Sequence, residues 1–194
     1  MKARLETAPW FDGEMTIEAA EAIAIISDNV WKDASILFAA DRSACLSRGM
    51  AAPKGMQKYI NKVLIDRFSE QGWIADAGYF VKGRTWVRIT FRHQMSLGSD
   101  VLDAIKVCKK DGIEVAMILA ADFNTLKIIS PNDAPALVSF EKLEREMYDL
   151  DGAIDIPLII GELTPHTSAS EDVNDILKEG RLRDVTIPAD YREG

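Results

Sequence analysis

The chain has 194 residues, 47% of them hydrophobic, which suits one substantial core in a single domain. Its formal net charge of -8 argues against nonspecific coating of DNA or of an anionic membrane, although a local basic face can still bind phosphate. No apolar run approaches the ~18 residues of a membrane helix. These features exclude a membrane-spanning protein. They also argue against a protein that coats nucleic acid without sequence preference.

The two cysteines, Cys45 and Cys108, have neither metal-ligand spacing nor a CxxC context. They predict small buried side chains in a reducing compartment. The amino-terminal stretch MKARLETAPWFDGE contains no apolar core of signal length. We therefore expect a soluble, cytoplasmic protein.

The first half of the chain predicts two helices. Residues 1–15 are expected to lie over the surface of the domain, with Trp10 and Phe11 packed against it. Thr16 is typical of a helix N-cap. The apolar stripe expected after it consists of Ile17, Ala20, Ile23, Ala24 and Ser27.

The apolar residues of 30–52 show no clean periodicity, so this region is left unassigned, and residues 47–53 predict a loop. Residues 55–71 form the clearest predicted helix, ended by Gly72. Its stripe is Met56, Tyr59, Ile60, Val63, Leu64 and Phe68.

The second half alternates strands and helices. Strands are predicted at 73–80 and 85–93, joined by a Lys82-Gly83 turn, and later at 113–121, 125–130 and 156–163. Gly98, Ser99 and Asp100 are expected to cap a helix with the stripe Val101, Leu102, Ile105 and Cys108. Leu137, Phe140, Leu143, Met147 and Tyr148 mark a further helix. This order predicts an α/β fold with a mixed central sheet flanked by helices.

The chain turns polar after Thr164. A short helix is predicted at 171–179, and residues 166–194 are expected to form a polar carboxyl-terminal extension to a domain at 1–165. The main domain would carry an amino-terminal helical extension. His166, in the polar segment, is expected to be a surface residue.

Basic side chains collect on the central pair of strands. Lys82, Arg84, Arg88, Arg92 and His93 all fall in this short stretch. Because strand side chains alternate, Arg88 and Arg92 share a face, and Val87 and Ile89 share the other. The cationic face is the candidate for meeting a nucleic-acid phosphate. The alternative is that these arginines pair with the chain's own abundant carboxylates.

Several phrases in this order carry a family resemblance. They are RFSEQGW, YFVKGRTWVRITF, IEVAMIL, SFEKLEREMYDL and IPLIIGEL, spread over residues 56–165. In their order and spacing the chain resembles type II restriction endonucleases of the BglII/BstYI kind, members of the PD-(D/E)XK nuclease fold. The resemblance implies a restriction-endonuclease-like mixed sheet, double-stranded DNA as a partner and a homodimer.

The family's cleavage chemistry requires an acidic residue on the first strand of the ribbon, a second on the next strand, and Gln or Lys shortly after it. Carboxylate oxygens at these positions hold the magnesium ion that activates water. The resemblance puts Tyr79, Arg88 and Thr90 there. An arginine at the metal site adds positive charge, so we expect the pocket to reject Mg²⁺ yet to attract a phosphate oxygen.

An active enzyme would need carboxylates from elsewhere. Asp76 could meet Asp100 or Asp103, which stand on one side of the predicted helix that begins near Gly98, with His93 as a base. The simpler interpretation is that Asp100 and Asp103 complement the helix N-terminus.

The sequence thus predicts a restriction-endonuclease-like protein that has lost its catalytic carboxylates and is a non-cleaving homodimer binding DNA or a protein partner. No cofactor is expected. One alternative is an active Mg²⁺-dependent type II DNA endonuclease with relocated carboxylates. The second is a structural or regulatory subunit that binds no nucleic acid.

Overall fold

The structure, a computed structural model, describes residues 1–6, 13–76 and 78–165. Six helices lie in these ranges: α1 Ile17–Ser27, α2 Val30–Ser47, α3 Gln57–Glu70, α4 Leu97–Lys110, α5 Phe123–Ile129 and α6 Phe140–Asp149. The strands are β1 Lys2–Glu6, β2 Ile74–Asp76, β3 Tyr79–Lys82, β4 Thr85–Thr90, β5 Val115–Ala121 and β6 Leu158–Thr164. Short 3-10 turns occupy Gln94–Ser96 and Ala134–Ala136.

The described strands form one six-stranded sheet in the order β1-β6-β5-β4-β3-β2. Strands β4, β5 and β6 run parallel, and the other neighbours are antiparallel. A core against α1, α2 and α3 covers one face, and a second core under α4 and α6 covers the other. The predicted α/β fold with a mixed sheet between helices is confirmed. Among the described helices, none combines the length and the apolar character needed to cross a membrane.

Helix α3 matches its sequence pattern closely. Every residue of the predicted stripe is buried, and Gly72 adopts a φ of 77° just after the helix. Thr16 caps α1 as predicted, since its hydroxyl accepts a hydrogen bond from the Ala19 N–H at 3.1 Å. The predicted α1 stripe is wrong, because Ile17 is 86% exposed. Helix α1 is apolar around most of its circumference, so spacing alone did not select the buried face; Ala19, Ala22, Ile25 and Ile26 face the core.

Three other predictions are corrected. Residues 2–6 do not lie over the surface of the domain but form strand β1, which pairs antiparallel with β6. Helix α2 fills most of the unassigned region, with Trp31, Ala34 and Phe38 packed into the core. The predicted strand at 125–130 is a helix because Asp122 accepts hydrogen bonds from both the Thr125 N–H (2.7 Å) and its hydroxyl (2.8 Å).

Two further differences affect the central ribbon. The strand predicted at 73–80 is two antiparallel strands, β2 and β3, which turn at Gly78 with a φ of 88°. Helix α4 begins at Leu97, ahead of the predicted cap, so Asp100 lies inside its first turn and is fully buried, while Leu102 is 66% exposed. The predicted anchors Trp10 and Phe11, His166, the helix at 171–179 and the 166–194 extension lie outside the described residues.

Candidate functional site

Tyr79, Arg88 and Thr90, the three positions to which the resemblance assigned the metal motif, lie on the neighbouring strands β3 and β4. The Lys82-Gly83 turn, in which Gly83 has a φ of 54°, sets a register that puts Tyr79 opposite Arg88. Thr90 follows on the same face of β4. Both faces of β4 are buried, because α4 covers the side that carries Arg88. Arg88, which the sequence placed on a cationic face that could meet phosphate, is therefore buried, with an exposure of 3%.

Arg88 is enclosed by carboxylates and an aromatic ring. Its Nε lies 3.0 Å from Asp100 Oδ1, and its Nη2 lies 3.7 Å from Asp103 Oδ2. Its guanidinium carbon sits 5.7 Å from the centre of the Tyr79 ring. Residues three apart on a helix share a side, so α4 presents both aspartates to β4. The two aspartates do converge on the ribbon, but they converge on an arginine.

Asp100 also binds two further groups. Arg92 Nη1 donates to its Oδ1 at 2.8 Å, and the Thr90 hydroxyl donates to its Oδ2 at 3.2 Å. A fully buried carboxylate would otherwise carry a large desolvation cost. The single negative charge of Asp100 is thus shared by two guanidinium groups and a hydroxyl. We call Arg88, Arg92, Thr90 and Asp100 the arginine–aspartate cluster.

The other candidates for a relocated metal site are placed differently. His93 is exposed, and its Nδ1 accepts the Met95 N–H at 3.3 Å, which closes a 3-10 turn. The side chain of Asp76 lies outside the described part of the structure. Within residues 1–6, 13–76 and 78–165, no group of three or more His, Cys, Asp or Glu side chains is arranged to hold a metal ion.

The two remaining basic candidates lie at the opposite end of β4. Lys82 Nζ contacts the two carboxylate oxygens of Glu21 at 2.8 and 2.9 Å and the Gln71 carbonyl at 2.8 Å. Arg84 pairs with Glu114. Arg84 immediately precedes β4 and Arg92 follows it by two residues, so the six-residue strand, about 20 Å long at ~3.3 Å per residue, lies between them. Lys82 and Arg84 therefore lie at one end of β4, Arg92 and His93 lie at the other, and Arg88 is buried between them. The described contacts of the lysine and the three arginines favour the alternative that these side chains pair with the chain's own carboxylates.

A cavity of about 290 Å³ opens beside the arginine–aspartate cluster. Its polar lining comes from Gln57 and Asn61 on α3 and from Arg88 and Arg92 on β4 and just after it. The apolar lining consists of Leu64, Ile65, Phe80, Ile89 and Phe91, with Gly78 at the edge. Gln57 is held in place because its Nε2 donates to the Phe91 carbonyl at 3.3 Å. We call this cavity the notch.

Gln57 and Asn61 were not predicted as site residues, because they lie on the polar side of α3, where a helical pattern predicts only solvent contact. Asp100 was predicted to complement the helix N-terminus or to bind a metal at a relocated site. A signal for its pairing did exist, because an arginine inside a buried strand requires a nearby carboxylate.

No protein-family model matches the chain, and no curated protein matches it. Similar solved structures include two of the restriction endonuclease BglII. The restriction endonuclease BglII complexed with a DNA 16-mer aligns with a TM-score of 0.46 and 16% identity over 55% of this chain and 54% of that one. Free BglII aligns with a TM-score of 0.43 and 18% identity over 55% of this chain and 57% of that one. The matched region thus spans little more than half of each BglII chain.

Proposed function

We propose that this chain is a restriction-endonuclease-like protein that acts by binding and does not hydrolyse DNA at its ribbon. The observation that carries the proposal is the ion pair between Arg88 and Asp100, 3.0 Å apart and almost fully buried. Arg88 stands where the family resemblance expects a metal-binding acid. Because Asp100 Oδ1 already contacts two guanidinium groups, a divalent cation would have to displace both of them.

Double-stranded DNA is the ligand class that the resemblance suggests, and a homodimer is the assembly it suggests. Of the basic residues proposed for DNA contact, Arg92 has a side chain that is 46% exposed, and the exposed His93 lies beside it. Lys82 is paired with Glu21, and Arg84, although 68% exposed, is paired with Glu114 near the other end of β4. We assign the proposed DNA contact to the Arg92 end of β4, where two exposed basic residues are adjacent.

A plasmid-nicking assay with Mg²⁺ or Mn²⁺ tests the absence of hydrolysis, and we expect no cleavage above a metal-free control. Metal-dependent cleavage that disappears in Asp76→Ala or Asp100→Asn would establish the relocated site instead. A filter-binding titration against salt tests DNA binding, and replacing Arg92 by Gln should flatten the salt slope by about one unit. No DNA binding at low salt would leave a protein partner as the ligand.

Light scattering at micromolar concentration tests the assembly. We expect twice the mass of the 194-residue chain. A monomer mass would remove the dimer from the proposal without affecting the cleavage result.

A further inference from the structure

The notch exists because β3 begins only at Tyr79. Tyr79, opposite Arg88, is the first β3 residue and the one nearest the carboxyl end of β4. Ile89 and Thr90 continue β4 beyond it, and no described strand pairs with them on that side. Helix α3 closes the opening from one face through Gln57 and Asn61. The result is a cleft beside a strand edge, with a buried arginine in its wall.

Two arginines line the notch, and they differ in solvent exposure and in the number of carboxylates they contact. Arg88 is 3% exposed and contacts Asp100 and Asp103. Arg92 has a side chain that is 46% exposed, and its guanidinium has one described ion-pair partner, Asp100. If Arg92 turned toward a ligand, Asp100 would keep Arg88 and Thr90 as partners. Releasing Arg92 therefore does not leave a buried carboxylate alone, so its cost is small.

The remaining lining suits an anion attached to a small organic group. Gln57 and Asn61 can donate amide hydrogens, while Ile65, Ile89 and Phe91 offer apolar contact. A volume of about 290 Å³ lies near the lower end of small-molecule sites and cannot hold a duplex. A terminal phosphate carries about −1.5 to −2 charge at neutral pH and exposes three acceptor oxygens. Arginine pairs with such a group through charge-assisted hydrogen bonds.

We propose that the notch binds a phosphate monoester. Arg92 is the residue that contacts the phosphate, and Arg88 keeps the buried Asp100 carboxylate paired. This inference rests on the proposed binding role of the same end of the ribbon. The phosphate can come from a free nucleotide or from the 5′ end of a DNA strand. Both sources present the same chemistry to Arg92.

Calorimetric titration with adenosine 5′-monophosphate, adenosine and inorganic phosphate tests the chemistry. We expect the nucleotide to bind at least about tenfold more tightly than the nucleoside, since the charge-assisted bonds are lost without phosphate. A 5′-phosphorylated oligonucleotide compared with its 5′-hydroxyl form tests the source. Preference for the phosphorylated strand without binding of the free nucleotide assigns the site to strand ends, and binding of the nucleotide assigns it to a free ligand.

Arg92→Gln should weaken phosphate binding at least about tenfold. Arg145→Gln is the matched control, because it removes one positive charge from an exposed position on α6 and should change nothing. Asn61→Glu supplies an independent variant that adds negative charge to the notch wall and leaves the arginine–aspartate cluster intact, and Asn61→Gln is its neutral control. Circular dichroism verifies that each variant is folded.

The inference fails if no phosphate compound binds at millimolar concentration. It also fails if Arg92→Gln and Asn61→Glu bind as the controls do. Metal-dependent DNA cleavage would overturn the proposed function and would leave these phosphate titrations unchanged, so the two failures are distinguishable.

Discussion

Arg88 and Asp100 meet at the interface of β4 and α4, with Nε and Oδ1 3.0 Å apart and side chains only 4% and 0% exposed. They are 12 positions apart in the chain, and the 3-10 turn Gln94–Ser96 lies between their two elements. Their pairing determines which basic side chains remain accessible. It also gives Arg88 and Arg92, which the sequence pattern treats as equivalent, different roles.

Replacing Arg88 by Gln should lower the free energy of unfolding by about 2 to 4 kcal/mol, because buried Asp100 loses one of its two cationic partners. Arg92→Gln should cost less than about 1 kcal/mol, since Arg92 is half exposed and the buried Asp100 keeps Arg88 and Thr90 as partners. Urea denaturation measures both values. The double variant Arg88→Met, Asp100→Leu should recover most of the loss because it removes the buried charges together. Equal losses for the two single variants would contradict the assignment of Arg88 as the buried member.

Thr16 connects α1 to the central sheet. Its hydroxyl caps the helix and lies 2.6 Å from the hydroxyl of Thr85, which is fully buried in β4. Thr16→Ala should lower the free energy of unfolding by about 1 to 2 kcal/mol, since it removes a cap and leaves a buried hydroxyl with one partner fewer. Thr16→Ser keeps the oxygen and is the control. If serine and alanine destabilise the protein equally, the methyl group and not the hydroxyl matters.

Two glycines should respond in opposite directions to alanine. A Cβ on Gly55 would lie 2.3 Å from the Ile129 carbonyl oxygen, a backbone atom that cannot turn aside. Gly55→Ala should therefore destabilise the protein by roughly 1 to 3 kcal/mol. Gly98 lies in α4, and its added Cβ would meet no atom within 4 Å, so Gly98→Ala should stabilise the protein by up to about 1 kcal/mol. Thermal melts of the two variants check the signs, and a loss of stability in Gly98→Ala would indicate a contact at that surface.

Burial raises the pKa of the Cys108 thiol to about 11, with Lys109 opposing the shift. At pH 8 only about 0.1% would be thiolate, so iodoacetamide should modify Cys108 on the order of 100-fold more slowly than an unperturbed cysteine. The rate should rise with pH and reach half of its maximum near pH 11. Peptide mass spectrometry on a Cys45→Ser variant follows this thiol alone, and fast labelling at pH 8 would disprove the shift.

The same shift has a defined sign for stability. The folded-state pKa of Cys108 is above its unfolded value, so folding favours the protonated thiol. Its contribution is complete below the unfolded pKa and is lost as pH rises through about 11. Cys108→Ala should reduce the loss of stability over that alkaline range.

The amino-acid sequence by itself determined the elements whose local pattern has one solution. The α3 stripe from Met56 to Phe68 is buried as predicted, and the apolar runs of β5 and β6 form central strands. The N-cap of α1 lies at Thr16, the end of α3 at Gly72 and the turn between β3 and β4 at Gly83, as the chemistry of these residues requires. In each case the signal lies within one or two turns of helix or a few strand residues.

Only the tertiary structure decided features that depend on distant contacts. Residues 2–6 form a strand because β6 offers its edge to them. The buried face of α1 depends on what α3 and the sheet present, and α2 is stabilised by packing on α3. The periodic pattern of β4 marked one cationic face, but it could not show that α4 would cover Arg88 and present Asp100 to it. The notch joins Gln57 to Arg92 across a third element, so no local pattern contains it; side chains far apart in sequence become one site only when packing removes the water between them.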